Sequence, residues 1–226
     1  EMIVNFTSPE LSTGDSLIFI RAYNLRPGIW KFRLTGEYIV EGNYYAWIPQ
    51  RELIDDETKF LNPVEYTTIT LPSTSNNAIS VGYYNQNNNS IVSESSNGYT
   101  RYGNIKPDIV AGGSNALVTI PGGATSVMSG SSVAGAVVAG CCALILQWAV
   151  TDGNYPDIYS SQIKTYIISG AKTRPGDIYP NKRWGYGMFD LQGVFDWIQQ
   201  TYTPRINTDF EEYRVKNLFI RKPRDL

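Results

Sequence analysis

The chain has 226 residues, a formal net charge of −2 and 18% charged residues. This length suits one large domain or two small ones, and the charge provides no basic surface for nucleic acid or anionic lipid. The chain contains no histidine, so it cannot by itself form a Ser-His-Asp triad, in which an imidazole takes the proton of the serine. We also expect no membrane span, because Gly135, Gly140 and Gln147 interrupt the longest apolar run.

Residues 1–66 have the pattern of β structure. Pro27-Gly28 marks a turn, and apolar and polar side chains alternate after it, as in a half-buried strand. Strands are predicted over residues 16–23, 29–35, 37–40 and 44–48. A meander with this spacing is typical of a β-sandwich. Its aromatic residues would alternatively form a carbohydrate-binding face, although aromatic residues in alternating strands more often form a core or cross-strand pairs.

From Tyr66 onward, short strands are followed by helices. Strands are predicted over residues 67–71, 78–84, 106–110 and 117–120, and a further strand-like segment covers residues 217–221. One helix is predicted over residues 160–169, with Ser160 as N-cap and Gly170 as its stop signal. A final amphipathic helix is predicted over residues 191–200.

The segment Met128–Val150 begins with small residues and continues as a long apolar helix, with Ser132 at the start of the helix. The first turn of a helix has unpaired N–H groups and a partial positive charge. An anion that forms beside Ser132 would therefore be stabilised, as the tetrahedral intermediate of acyl transfer requires. The alternative interpretation of this segment alone is a buried packing helix.

Two segments resemble motifs of the subtilisin-like serine proteases. Residues 130–140, GSSVAGAVVAG, resemble their nucleophile motif Gly-Thr-Ser-Met-Ala-x-Pro-x-Val-Ala-Gly. Residues 104–113, NIKPDIVAGG, resemble their Lys-Pro-Asp-Ile-x-Ala-Pro-Gly strand and turn, at the family's spacing before the serine. The resemblance implies that Ser132 is the nucleophile. Ala136 replaces the usual proline, and Val137 replaces a non-catalytic histidine that commonly follows it.

The first 66 residues resemble a narrower branch, the clostridial germination-specific subtilases. The shared features include Pro27-Gly28-Ile29-Trp30 and Ala46-Trp47-Ile48-Pro49. The serine motif of that branch also lacks the usual proline, which Ala136 replaces here. In that branch a jelly-roll β-sandwich is inserted between the oxyanion asparagine and the serine. The resemblance implies an α/β fold in which residues 67–226 form the C-terminal portion of a three-layer subtilase domain. Residues 1–66 would be part of the inserted sandwich, and the catalytic Asp, His and Asn would lie before Glu1.

The resemblance implies a serine endopeptidase that acts on a protein or peptide, with the N-terminal part of the same protease as partner and no cofactor. It further suggests limited proteolysis of a zymogen and a bacterial, spore-associated or secreted location. No metal site is predicted, because three aspartates lie singly in loops: Asp152, Asp157 and Asp177. The adjacent Cys141 and Cys142 are interpreted as small packing residues rather than metal or redox ligands.

Three other hypotheses remain. The first is a pseudoprotease that keeps the fold and acts as a signalling or scaffold protein. The second is a β-sandwich binding module without proteolysis, for which glycan binding by residues 1–66 would be the distinguishing observation. The third is a Ser-Lys mechanism that uses Lys106 or Lys164, for which no motif is present. We also expect the chain alone to self-associate through exposed apolar edges.

Overall fold

The structure, a computed structural model, describes residues 1–39, 42–49 and 53–206, with side chains up to residue 201. The chain divides into two compact units, Glu1–Thr58 and a second that begins at Lys59. The domain boundary predicted after residue 66 stays a prediction. The strand predicted over residues 217–221 lies outside the described residues, as does residue 40 of another predicted strand.

The first unit contains one antiparallel hairpin. Strand β1 (Met2–Thr7) pairs with β2 (Leu17–Ala22), so that Met2 lies opposite Ala22 and Thr7 opposite Leu17. In the turn between them, the Glu10 carboxylate accepts hydrogen bonds from the backbone N–H groups of Ser12 and Thr13, at 3.1 and 3.0 Å. This hairpin confirms the strand predicted over residues 16–23.

The strands predicted over residues 29–35 and 44–48 are wrong, because those segments are irregular in the structure. Alternating side chains indicate an amphipathic segment, but a strand also needs a neighbour that pairs with its backbone groups. No such ladder involves these segments within the described part of the unit. Trp30 and Trp47 are 50% and 61% exposed there. The jelly-roll therefore stays a prediction.

The second unit is built on a three-stranded sheet with the order β4-β3-β5. β3 (Val81–Asn85) runs parallel to β5 (Ile109–Gly112) and antiparallel to the short β4 (Ser90–Ile91). β5 is buried, as the apolar residues of a central strand require. Two strands predicted in this region are thus confirmed with shifted bounds, whereas the strand predicted over residues 67–71 is wrong, because that segment is irregular.

The described part of this unit also contains a second hairpin and three helices. β6 (Ala116–Thr119) and β7 (Thr125–Met128) are antiparallel and lead into α1 (Ser131–Leu146), which continues as a π-helical segment, Gln147–Thr151. α2 (Ser160–Ser169) packs against α3 (Leu191–Ile206), and α1 packs against β3 and β5. Residues from β3, β5 and all three helices form the hydrophobic core, including Tyr83, Ile109, Val138, Ile167 and Val194.

Helix α1 buries one face and exposes another. Ala134, Val138 and Ile145 are buried, whereas Val137 and Leu144 are 45% and 49% exposed. By length and composition, the continuous helix Ser131–Thr151 is also long enough to cross a bilayer, contrary to the expectation from Gly135, Gly140 and Gln147. The core helix of a soluble protein meets the same criteria. α1 packs on β3 and β5, and 22% of its apolar window is buried.

The predicted bounds of α2 are confirmed, but its N-cap is Tyr159 rather than Ser160. The side chain of Gln162 accepts a hydrogen bond from the Tyr159 N–H at 3.1 Å. The N-cap therefore lies one residue before the serine that the sequence indicates. At the other end of α2, a Cβ atom on Gly170 would lie 2.3 Å from the Val194 nitrogen. Glycine at this position therefore permits the close approach of α2 and α3.

Candidate active site

Ser132 is the second residue of α1 and is exposed. The residue before the helix, Gly130, has φ 147° and ψ 164°, a backbone conformation that is essentially restricted to glycine. The Gly130 carbonyl accepts hydrogen bonds from the N–H groups of Val133 and Ala134, at 3.2 and 3.3 Å. Gly130 therefore turns the chain sharply into the helix and leaves Ser132 at its accessible end.

The start of α1 has free hydrogen-bond donors. Among the described residues, no acceptor pairs with the backbone N–H groups of Ser131 and Ser132, and the Ser132 hydroxyl has no hydrogen-bond partner. The first turn also contains no acidic side chain that would offset the positive end of the helix dipole. This arrangement can stabilise an oxyanion beside Ser132.

The turn after β5 lies directly against the start of α1. The Gly113 carbonyl accepts a hydrogen bond from the Gly130 N–H at 2.8 Å. A Cβ atom on Gly113 would lie 2.7 Å from the Gly130 oxygen, so any side chain at this position would separate the two segments. Ser132 is thus placed near the carboxyl end of a parallel strand, where the ligands of open α/β sheets bind.

The β6–β7 hairpin is closed by a hydrogen bond just before the chain enters α1. The Ser129 hydroxyl accepts a hydrogen bond from the Asn115 N–H at 2.8 Å, which ties the residue before β6 to the segment after β7. Asn115 has φ 51°, a left-handed conformation that asparagine tolerates better than most residues. The hairpin and the β5 turn therefore hold the chain on both sides before it enters α1.

A buried ion cluster lies at the opposite end of β5. Asp108 contacts the ammonium groups of Lys106 and Lys164 at 2.7 and 2.8 Å, and its carboxylate accepts the Ser80 N–H at 2.7 Å. Burial lowers the pKa of Lys106, while the Asp108 carboxylate acts in the opposite direction. Lys106 precedes β5, whereas Gly113, which contacts the start of α1, follows it. Both lysines therefore pair with Asp108 at the other end of the strand rather than with Ser132. This geometry does not support a Ser-Lys mechanism.

The cysteines and the loop aspartates considered in the sequence lie outside the first turn of α1. Cys141 and Cys142 are free and partly buried in α1, and burial raises the pKa of both thiols. Asp177 lies 3.8 Å from the Arg174 guanidinium. Over the described ranges, no three His, Cys, Asp or Glu side chains form a group that would hold a metal ion. Sequence reasoning missed the Asp108 cluster, because only the folded chain brings Lys164 to Asp108.

Comparisons with known proteins agree with this arrangement. The family described as the subtilase family, peptidase S8, matches residues 55–187, which is more than half of the chain. The structure of the Clostridium perfringens CspB protease is similar, with 39% identity, a TM-score of 0.61 and coverage of 64% of this chain and 32% of that one. The patellamide maturation protease PatA is 24% identical, with a TM-score of 0.51 and coverage of 60% and 48% respectively, and shows the fold alone.

The chain therefore spans about a third of the CspB protease and about half of PatA. No curated protein matches the sequence. The match to the subtilase family covers the three-stranded sheet, the β6–β7 hairpin, α1 and α2. The structure places the same elements around Ser132, with the parallel β3–β5 pair beneath α1. On this evidence the chain has an α/β subtilase fold and belongs to the subtilase family of serine proteases.

Proposed function

We propose that this chain supplies the nucleophile of a subtilisin-like serine endopeptidase. The observation that carries the proposal is the exposed Ser132 at the start of α1, beside backbone N–H groups that no acceptor among the described residues occupies. The Ser132 oxygen attacks the scissile carbonyl of a protein or peptide, and its proton passes to a base. The Ser132 N–H donates to the oxyanion, and the protonated base gives its proton to the nitrogen of the departing amine. Water, deprotonated by the same base, then attacks the acyl group, and the proton returns to the Ser132 oxygen.

The proposal requires a base from outside this chain, because the 226 residues contain no histidine. Following the subtilase resemblance, we assign the His, its orienting Asp and the second oxyanion donor, an Asn, to the N-terminal part of the same protease. That part is the partner we propose for the exposed apolar face of α1, which includes Val137 and Leu144. Burial of this face would offset the free energy that its exposure to water costs.

Labelling with a fluorophosphonate probe tests the assignment of Ser132. The experiment uses the protease that contains this chain, with Ser132→Ala and the neighbouring Ser131→Ala as a matched pair. We expect the wild type and Ser131→Ala to be labelled and Ser132→Ala to lose labelling, because only Ser132 carries the attacking oxygen. The 226-residue chain alone should stay unlabelled, since it has no imidazole base.

The pseudoprotease is the second candidate. It shares the fold, and it also fits a chain that contains Ser132 but no histidine. Absence of labelling in a folded, full-length wild-type protein would overturn the protease proposal in favour of this one. Labelling of Ser132→Ala at the wild-type rate would instead show that another residue is the nucleophile.

We propose a spore-associated or secreted bacterial location, and limited proteolysis of a zymogen as the activity, from the resemblance to the germination-specific subtilases. Immunodetection in fractionated cells, spores and culture medium tests the location. Recovery of the protein only from the cytoplasm of growing cells would contradict it. Cleavage at one or a few sites in a spore protein extract, lost in Ser132→Ala, tests the activity.

A further inference from the structure

We propose that Gln86 is a positioning residue for Ser132, through the turn that follows β5. The catalytic part of this inference rests on the proposed function. Gln86 directly follows β3, and its side-chain amide reaches the Ser114 backbone on the neighbouring strand's turn. The Gln86 Oε1 accepts the Ser114 N–H at 3.2 Å, and the Gln86 Nε2 donates to the Ser114 carbonyl. One side chain thus satisfies both backbone groups of a buried residue.

The amino acids of the turn that Gln86 contacts do not themselves restrict its backbone conformation. Residues 112 and 113 are both glycine, whereas subtilases usually have Pro-Gly at these two positions. A proline ring fixes φ, and a glycine at the same position leaves φ unrestricted. A Cβ atom on Gly112 would lie 3.2 Å from the Gln86 Cβ and 3.3 Å from its Oε1, so the glutamine fills the space beside this glycine. The two hydrogen bonds from Gln86 therefore restrict the backbone of this turn, which its glycines leave unrestricted.

The restricted turn is the support for the start of α1. Gly113, next to Ser114, accepts the Gly130 N–H at 2.8 Å, and the Gly130 carbonyl in turn accepts the N–H groups of the first helical turn. Movement of the Gly113 carbonyl would move Gly130 and hence the oxygen of Ser132. A displacement of about 1 Å in a catalytic group can cost on the order of a hundredfold in rate. Gln86 is itself exposed, so its substitution leaves the core intact.

Three variants test the two hydrogen bonds of the Gln86 side chain. Gln86→Met keeps the length of the side chain and removes both hydrogen bonds. Gln86→Glu keeps the acceptor for the Ser114 N–H and loses the donor, so it is the conservative variant. Asn87→Ala is the matched control, because the neighbouring Asn87 is exposed and its side chain has no hydrogen-bond partner among the described residues.

Amide hydrogen exchange tests the geometry without any need for activity. In Gln86→Met we expect the amides of residues 113–115 and 130 to exchange about tenfold faster than in the wild type, since the turn has lost two restraints. Asn87→Ala should match the wild type, and the α2 amides should be unchanged in every variant. Equal exchange of residues 113–115 and 130 in Gln86→Met and the wild type would overturn the inference, whether or not the protein is an active protease.

Kinetics on the protease that contains this chain test the catalytic consequence. At a temperature where every variant is fully folded, we expect kcat in Gln86→Met to fall tenfold or more with KM near its wild-type value, and Gln86→Glu to recover part of the loss. An unchanged kcat in Gln86→Met beside an active wild type would overturn the positioning role. An unlabelled wild type would instead contradict the proposed function, and the exchange experiment would still decide the role of Gln86 in the turn.

Discussion

Gly130 shows how one backbone conformation places the candidate nucleophile. Its φ of 147° is strained for any residue with a side chain, although a Cβ atom there would meet only the Ser132 nitrogen, at 3.9 Å. Gly130→Ala therefore tests strain with little steric conflict. In the protease that contains this chain, we expect it to slow fluorophosphonate labelling of Ser132 at least tenfold and to lower the free energy of unfolding by about 1–3 kcal/mol, as measured by urea denaturation.

Gly140→Ala is the control for this substitution. Gly140 lies within α1, and a Cβ atom there would meet nothing within 4 Å. In a helix interior, alanine is more stable than glycine by roughly 0.5–1 kcal/mol, so Gly140→Ala should leave labelling unchanged and slightly raise stability. Equal labelling rates in Gly130→Ala and the wild type would show that the conformation of Gly130 does not position Ser132.

At the scale of elements, the start of α3 depends on one carboxylate. Asp190 precedes the helix, its carbonyl accepts the Val194 N–H at 3.0 Å, and its carboxylate lies 2.7 Å from the Lys172 ammonium. Partial burial acts to raise the pKa of Asp190, but hydrogen bonds from Lys172 and the Gly193 N–H outweigh it and lower the pKa. The folded state therefore favours the charged carboxylate.

The pKa of Asp190 predicts a pH-dependent loss of stability. A carboxylate with a lowered pKa in the folded state stabilises the protein above its unfolded pKa of about 3.9, and this contribution is lost as the pH falls through the folded pKa. We expect Asp190→Asn to be less stable than the wild type at pH 7, with a difference that shrinks below about pH 4. Urea denaturation from pH 3 to pH 7 measures this, and a difference independent of pH would contradict it.

For the whole molecule, the exposed apolar surface determines how the chain behaves alone. Val137 and Leu144 of α1 are 45% and 49% exposed, and the side chains of β1 and β2 are exposed throughout. Exposed apolar surface of this kind favours association. We expect the 226-residue chain alone to sediment as oligomers in analytical ultracentrifugation, and Val137→Lys combined with Leu144→Lys to reduce its association.

A double variant that adds two lysines to other helices provides the control. Ser161 and Gln199 are exposed polar residues of α2 and α3, so Ser161→Lys combined with Gln199→Lys should not change the association state. Similar dissociation in both double variants would mean that net charge, rather than the α1 face, controls association. A monodisperse wild-type monomer with a cooperative thermal transition would contradict the prediction.

The amino-acid sequence by itself determined the features that depend on neighbouring residues. The bounds of α2 follow from apolar residues at helical spacing and from Gly170. The position of Ser132 at a helix start follows from the small residues around Gly130, and the motif spacing indicated the family. These features were predictable because the hydrogen bonds of a helix join residues only four apart.

Only the tertiary structure decided the contacts between distant segments. Gln86 reaches Ser114, Lys164 reaches Asp108, and Gly113 meets Gly130 only after the strands and helices pack. The strands wrongly predicted over residues 29–35 and 44–48 have the same explanation. Alternation is visible in one segment, but a β-strand is stabilised by hydrogen bonds to a partner, and a single segment does not say whether a partner is present.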